Sequence, residues 1–226
     1  MKLSNDTLNI LKNFASINTG IVFQQGKTIK TISGNKNILA EATISEEIPV
    51  EFGVYDLGKF LSTLSLYKEE PTIEFSDKVG TISGLGGRNK TSYRFCDPTM
   101  VATPPSKPIA MPETEIAFEL SQDDFEMAMR TAAVLSSPNL AVVSDGAKVS
   151  LHTFDATNDS ESTNTLDVAD GNGDRFKMIF KTEALKLIPG SYDVRISSKG
   201  VAHFRHKAKD LQYWITTEAG STYSKA

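Results

Sequence analysis

The chain has 226 residues, 39% of them apolar, with one cysteine and a formal net charge of −4. That apolar content fills one or two ordinary cores and excludes a disordered chain, while a lone Cys96 excludes an internal disulfide and a cysteine-cluster metal site and suits a reducing compartment. No apolar run approaches the roughly 20 residues of a membrane span, the start MKLSNDTLNI has no signal-peptide core, and the acidic balance argues against a wholly nucleic-acid-binding surface without excluding a local basic one.

In chain order, Ser4 is placed to cap a helix whose apolar set is Leu8, Leu11, Phe14 and Ala15, with Asn9 and Asn13 opposite and Lys12 at the edge. It is expected to end before Gly20. Strands follow at Ile21–Phe23, Thr28–Ile32, Ile38–Ile44 and Ile48–Tyr55, separated by Gln25-Gly26 and Ser33-Gly34-Asn35. A second unit opens with Leu57, Phe60, Leu61 and Leu64 at helical spacing and Lys59 on the far side, then strands at Thr72–Phe75, Gly80–Ser83 and Thr91–Phe95.

The stretch CDPTMVATPPSKPIAMPE, Cys96 to Glu113, holds five of the nine prolines. Fixed φ angles and extended residues before each proline make it a stiff surface connector, expected to contain neither sheet nor helix. This divides the chain into an N-terminal domain at 1–96, a connector at 97–113 and a C-terminal domain at 114–226. Beyond it, Ile116, Phe118 and Leu120 alternate as a strand, and Ser121 caps a helix with the stripe Phe125, Ala128, Met129, Ala132 and Leu135 and with Arg130 facing away. A hairpin over Leu140–Val143 and Val149–Phe154 turns at Asp145-Gly146, and a strand is expected at Thr163–Val168. The last unit reads as strand Phe176–Phe180, helix Lys181–Ile188, turn Pro189-Gly190, and strands Tyr192–Ser197, Val201–Lys207 and Tyr213–Thr217. The fold class is therefore α+β: two similar domains, each with two helix-plus-antiparallel-sheet repeats.

Acids Asp6, Asp56, Asp123, Asp124 and Glu183 fall in first helical turns, whereas the helix bodies carry Lys12, Lys59, Arg130 and Lys186 against Glu126 alone. Such faces present sparse cations to phosphates. For any single lysine an ordinary solvated face is the simpler explanation, and only the fourfold recurrence favours the functional one. Catalytic and metal motifs fail on their own terms. Gly26-Lys27-Thr28 lacks the earlier glycine and the helix of a phosphate loop, Gly84–Gly87 has no following helix, and Asp170-Gly171-Asn172-Gly173-Asp174 has Arg175 where a calcium loop needs glycine. His152, His203 and His206 lack zinc spacing, and Cys96 has no sequence partner that marks a nucleophile. No enzyme, cofactor or metal is expected.

The stretch from Leu11 to Ile21, LKNFASINTGI, resembles the first-helix signature of the sliding clamps of T-even-type bacteriophages. Tyr55-Asp56-Leu57 with Phe60-Leu61 and Leu64-Ser65-Leu66, Lys107-Pro108-Ile109 with Pro112, Pro189-Gly190-Ser191-Tyr192, and Glu218-Ala219 with Ser221-Thr222 agree in order and spacing, over essentially the whole chain. The resemblance implies a DNA clamp fold, a head-to-tail homotrimeric ring with four helices per subunit lining its hole, and a processivity factor in the cytoplasm of an infected bacterium. It also implies duplex DNA, the phage DNA polymerase, an ATP-dependent clamp loader and late-transcription factors as partners. By position, the DNA-facing cations are Lys12, Lys59, Arg130 and Lys186, with Lys2, Lys68 and Lys181 at helix ends. Ile109, Met111, Trp214 and Ile215 are the residues implied for a pocket taking a polymerase peptide. The alternative is a structural phage protein of two α+β domains that does not encircle DNA.

Overall fold

A computed structural model describes residues 1–67, 71–107, 109–158 and 160–226. The chain divides into two compact units, Met1–Lys107 and Pro108–Ala226.

In the first unit, α1 (Asn5–Ile17) begins at Ser4, whose Oγ accepts from Thr7 N, and buries Thr7, Ile10, Leu11, Phe14 and Ile17. The buried stripe is thus rotated from the expected one, and Leu8 and Ala15 are half-buried. Thr7 enters the core because its hydroxyl donates to Glu46 Oε2 at 2.6 Å, which satisfies the polar atom. Strands β1 (Ile21–Phe23) and β4 (Phe52–Val54) pair, as do β2 (Gly26–Ile32) and β3 (Ile38–Ile48), all antiparallel. The two strands expected at 38–44 and 48–55 are one long strand and one short one.

Asp56 opens α2 (Leu57–Ser65), its Oδ1 accepting from Lys59 N at 2.8 Å, and Leu57, Phe60 and Leu64 are buried. The link from α1 to α2 is tight. Thr19 O accepts from Leu57 N at 2.7 Å, and a Cβ on Gly20 would lie 2.9 Å from Val54 O, so only glycine fits there. Strands β5 (Thr72–Ser76), β6 (Val79–Gly84) and β7 (Asn89–Arg94) complete the unit in that order. Phe23, Phe52, Phe60, Phe75, Tyr93 and Phe95 form its aromatic core, with ring centroids 4.5–6.4 Å apart. The start of the connector is less irregular than expected: Cys96 bridges to Gly53, and Pro98–Met100 form a 3-10 turn capped by Asp97.

In the second unit, β8 (Ile116–Leu120) leads to α3 (Gln122–Val134), capped by Ser121 Oγ accepting from Asp124 N at 3.1 Å. The helix buries Phe125, Ala128 and Ala132 towards β10 (Lys148–Phe154) and β11 (Asn164–Asp170). With β9 (Asn139–Asp145), β12 (Arg175–Lys181) and β16 (Thr222–Ser224) these strands make a sheet in the order β11-β10-β9-β12-β16. The tail strand β16 has no counterpart in the sequence reading. β13 (Tyr192–Ser197), β14 (Val201–His206) and β15 (Leu211–Thr216) continue from β8 in the order β8-β13-β14-β15.

The helix expected at Lys181–Ile188 does not form. β12 runs through Lys181, Thr182–Ala184 make one 3-10 turn, and Leu185 leaves helical space at φ −84°, ψ 51°. Thr182 N donates to Pro138 O, and Ala184, Leu185 and Leu187 are all buried, so the segment is anchored at its start by the β9 side and along its length by the core. Pro189 then biases Ile188 towards extended backbone. A segment this short between strand and proline is held by its packing.

Candidate nucleic-acid interface

Each helix buries one stripe and leaves the other face to solvent. On α1 the exposed row is Asn5, Asn9, Lys12 and Ser16; on α2 it is Lys59, Ser62 and the cap residue Leu66. On α3 the exposed residues include Gln122, Asp123, Met127, Arg130 and Val134. Lys12, Lys59 and Arg130 thus project outward from helix bodies, one per helix, and none of them forms an ion pair among the described residues. Several neighbouring hydroxyls bond back to their own helix: Ser16 Oγ to Asn13 O, Thr63 Oγ1 to Lys59 O and Ser65 Oγ to Ser62 O. Those hydroxyls point their donors at backbone, so the long cations supply the outward reach.

The faces are not equally basic. Asp56 is engaged as the α2 cap, which leaves Lys59 as the charge on the body of that helix. On α3, Asp123, Asp124 and Glu126 outnumber Arg130, with Gln122 Nε2 donating to Glu126 Oε1 at 2.8 Å. Met127 and Val134 are 51% and 78% exposed on either side of Arg130. An acidic first turn complements the helix dipole, and the cation lies nearer the other end.

The remaining cations are placed differently. Lys2 is exposed but precedes the cap of α1, Lys181 is the exposed last residue of β12, and Lys186 is exposed in irregular chain, so none of the three stands on a helix body. Lys68 lies outside the described residues.

Glu46 ties the start of α1 to the end of β3. It accepts from Ser4 N and from the Thr7 hydroxyl, while Ser45 Oγ lies 3.0 Å from its Oε2. Partial burial works to raise its pKa, but the hydrogen bonds from Thr7 and Ser4 outweigh that and hold it down to about 2. A fixed carboxylate therefore serves the positive end of α1 from a distant strand.

Of the residues implied for a peptide pocket, Ile109 and Met111 are half-buried in the connector and Trp214 is half-buried on β15. Trp214 stacks on His203 with centroids 5.1 Å apart, and its buried Nε1 has no partner among the described residues. Burial, joined by Arg195 and Arg205, pushes the His203 pKa down, against the hydrogen bond with Gln212. Ile215 is a correction: it is 0% exposed, because alternation along β15 turns it into the core when Trp214 faces outward. One cavity, of about 350 Å³, lies between β1, β2 and Thr103–Ser106; another, of about 520 Å³, lies where β9, β10 and β12 end near Asn139 and Lys181. No motif in the sequence marks either.

Comparison with known proteins matches residues 4–101 to the DNA polymerase processivity factor family and residues 117–219 to the C-terminal domain of the gp45 sliding clamp. The sliding clamp of Vibrio phage KVP40 is 33% identical, with 97% of this chain and 100% of that protein covered. Those of Escherichia phage RB69 and Enterobacteria phage T4 are each 32% identical, with 99% of both chains covered. Among solved structures, PCNA from Thermococcus kodakaraensis superposes with a TM-score of 0.70 at 15% identity, covering 96% of this chain and 99% of that one. The Helicobacter pylori beta clamp bound to a DNA ligase peptide also gives 0.70, at 12% identity, covering 96% of this chain and 65% of that one.

Proposed function

The chain belongs to the sliding clamps of T4-like bacteriophages, the DNA polymerase processivity factors, and from that premise we propose that Lys12, Lys59 and Arg130 are the residues with which it meets the DNA it encircles. The observation that supports this is their placement, one outward cation on each helix body, on faces otherwise made of amides, hydroxyls and a few acids and apolar residues. A ring that slides needs phosphate contacts that are few, sequence-independent and quickly exchanged, since many strong ones anchor it. Retention then comes from topology. The acids on α3 keep that face from binding tightly. Lys2, Lys181 and Lys186 serve as peripheral contacts.

The family is one of non-catalytic processivity factors, and no chemical step is assigned to this chain. Its working form is a head-to-tail homotrimer opened and closed by an ATP-driven loader in the cytoplasm of the infected host. Its polymerase contributes a peptide that packs on Ile109, Met111 and Trp214.

Two measurements test this. Light scattering across a dilution series is expected to find a species three times the 24.7 kDa chain mass, and a monomer at every concentration overturns the autonomous ring. Charge reversal by Lys12→Glu, Lys59→Glu and Arg130→Glu together is expected to shorten processive synthesis about tenfold and to flatten its salt dependence. Unchanged product lengths remove these residues from the DNA surface and favour a structural role.

A further inference from the structure

The larger cavity, in the second unit, sits at an unfinished strand edge. Ile179 turns its backbone to the outer edge of β12, where its N–H donates to Ser221 Oγ at 3.0 Å and its carbonyl accepts from Glu218 N at 2.8 Å. Nearer the tail's end, β16 pairs with β12 only from Arg175 to Lys177. Antiparallel alternation turns the N–H of Lys181 to the same edge as that of Ile179, at a point the tail strand does not reach, while its C=O opens the Thr182–Ala184 turn. Lys181 lines the cavity.

Asn139, directly opposite Lys181 in the ladder, lines it too. It is 8% exposed; its Oδ1 accepts from Ala156 N at 3.0 Å, and its Nδ2 has no partner among the described residues. That Nδ2 keeps contact with solvent, so an incoming acceptor can reach it. Ile179 and Ala219 give the cavity apolar wall, Ile179 in continuity with a buried cluster of Ala141 and Phe154. Around it stand three carboxylates, Asp155, Glu183 and Glu218, against the one ammonium of Lys181. Hydrogen bonds from the Thr157 hydroxyl and N–H hold Asp155 below the usual carboxylate range, so it stays charged.

We propose that this cavity is a docking site for an extended, basic segment of a partner protein, which adds a short run of strand to the β12 edge at Lys181. The segment gives a main-chain carbonyl to Asn139 Nδ2, packs a small apolar side chain against Ile179 and Ala219, and sets a lysine or arginine among the carboxylates. The volume, about 520 Å³, suits a few side chains. The site lies in a different sheet from Trp214, so it stands apart from the polymerase-peptide surface proposed above.

The test uses the full chain and two fluorescein-labelled, N-acetylated heptapeptides, one alternating valine with lysine and one alternating valine with glutamate, read by fluorescence anisotropy. The lysine peptide is expected to bind at least tenfold more tightly than the glutamate peptide. Ala219→Trp, which fills the cavity, is expected to weaken it at least tenfold, and Glu183→Lys, at an exposed position, severalfold. In nitrogen-15 spectra the Lys181 N–H and the Asn139 side-chain amide are expected to shift on titration. Equal binding of the two peptides, or indifference to both substitutions, overturns the proposal; so do shifts confined to the Trp214 indole, which place the peptide on the other surface. Lys59→Glu is expected to leave peptide binding unchanged, so failure of this site and failure of the DNA-facing reading are read separately.

Discussion

The two units run the same plan with different means. In the first, two capped amphipathic helices supply the outward faces, and α2 buries Leu57, Phe60 and Leu64 over an aromatic core. In the second, α3 is the one α-helix among the described residues, and the place of its partner is taken by a 3-10 turn and irregular chain that buries Ala184, Leu185 and Leu187. The difference teaches that the conserved quantity in such a repeat is the burial, and that helical hydrogen bonding is one way among others to hold it. It also separates the helix faces: those of the first unit carry Lys12 and Lys59 among amides, hydroxyls, Asp6 and exposed Leu66, whereas α3 carries Arg130 among more acids and exposed Met127 and Val134.

If burial is what matters, truncation hurts equally with or without a helix. Phe60→Ala is expected to cost about 3–5 kcal/mol and Leu185→Ala about 2–5 kcal/mol in urea unfolding followed by fluorescence and circular dichroism. A Leu185 variant that loses little breaks the comparison, because it makes the irregular segment a mere connector. Cap removal asks about the helices alone: Asp56→Ala in α2 and Ser121→Ala in α3 are each expected to cost about 1 kcal/mol by the same measurement.

The carboxylate of Glu46 has no equivalent at α3 among the described residues, and it makes the start of α1 acid-sensitive. Its folded pKa of about 2 lies below the ordinary 4.5, so its stabilisation is complete above pH 4.5, fades as the pH falls from there towards 2, and is gone below. Glu46→Gln is expected to flatten the pH dependence of unfolding across that window, leaving the slope above about pH 5 as it was. An unaltered acid limb removes Glu46 from the account. The smallest effect concerns Pro189. Pro189→Ala is expected to leave the far-ultraviolet circular dichroism unchanged, because Leu185 and Leu187 already fix the segment; a gain of helical signal shows instead that the proline alone prevents a fourth helix.

Much of this architecture is legible in the residues. Leu57, Phe60 and Leu64 mark α2 by spacing, Ser4, Asp56 and Ser121 mark three helix starts by chemistry, and Asp145-Gly146 marks a hairpin. The misses share a physical cause, contacts distant in sequence. Thr7 is buried because of Glu46, the segment after Lys181 is set by Pro138 and the core, and β16 forms because the edge of β12 is there to receive it. The cations follow the same rule. Lys12, Lys59 and Arg130 ride on helices that the periodicity defines, whereas Lys186 falls in an expected helix that the fold replaces.

The hydrogen bonds from Ser4 and Thr7 to Glu46 also set an order of events during synthesis. The carboxylate that completes the start of α1 lies 42 residues further along from Ser4, so a nascent chain that ends within β2 has the helix sequence without its distant cap. Thirteen residues are too few for a robust helix in water on their own, and α1 stays a fluctuating segment until β3 has left the ribosome. The first helix in the sequence is therefore secured by a strand that follows it, before α2 has been made. That step brings residues 4 and 46 together and carries the entropic cost of the loop between them.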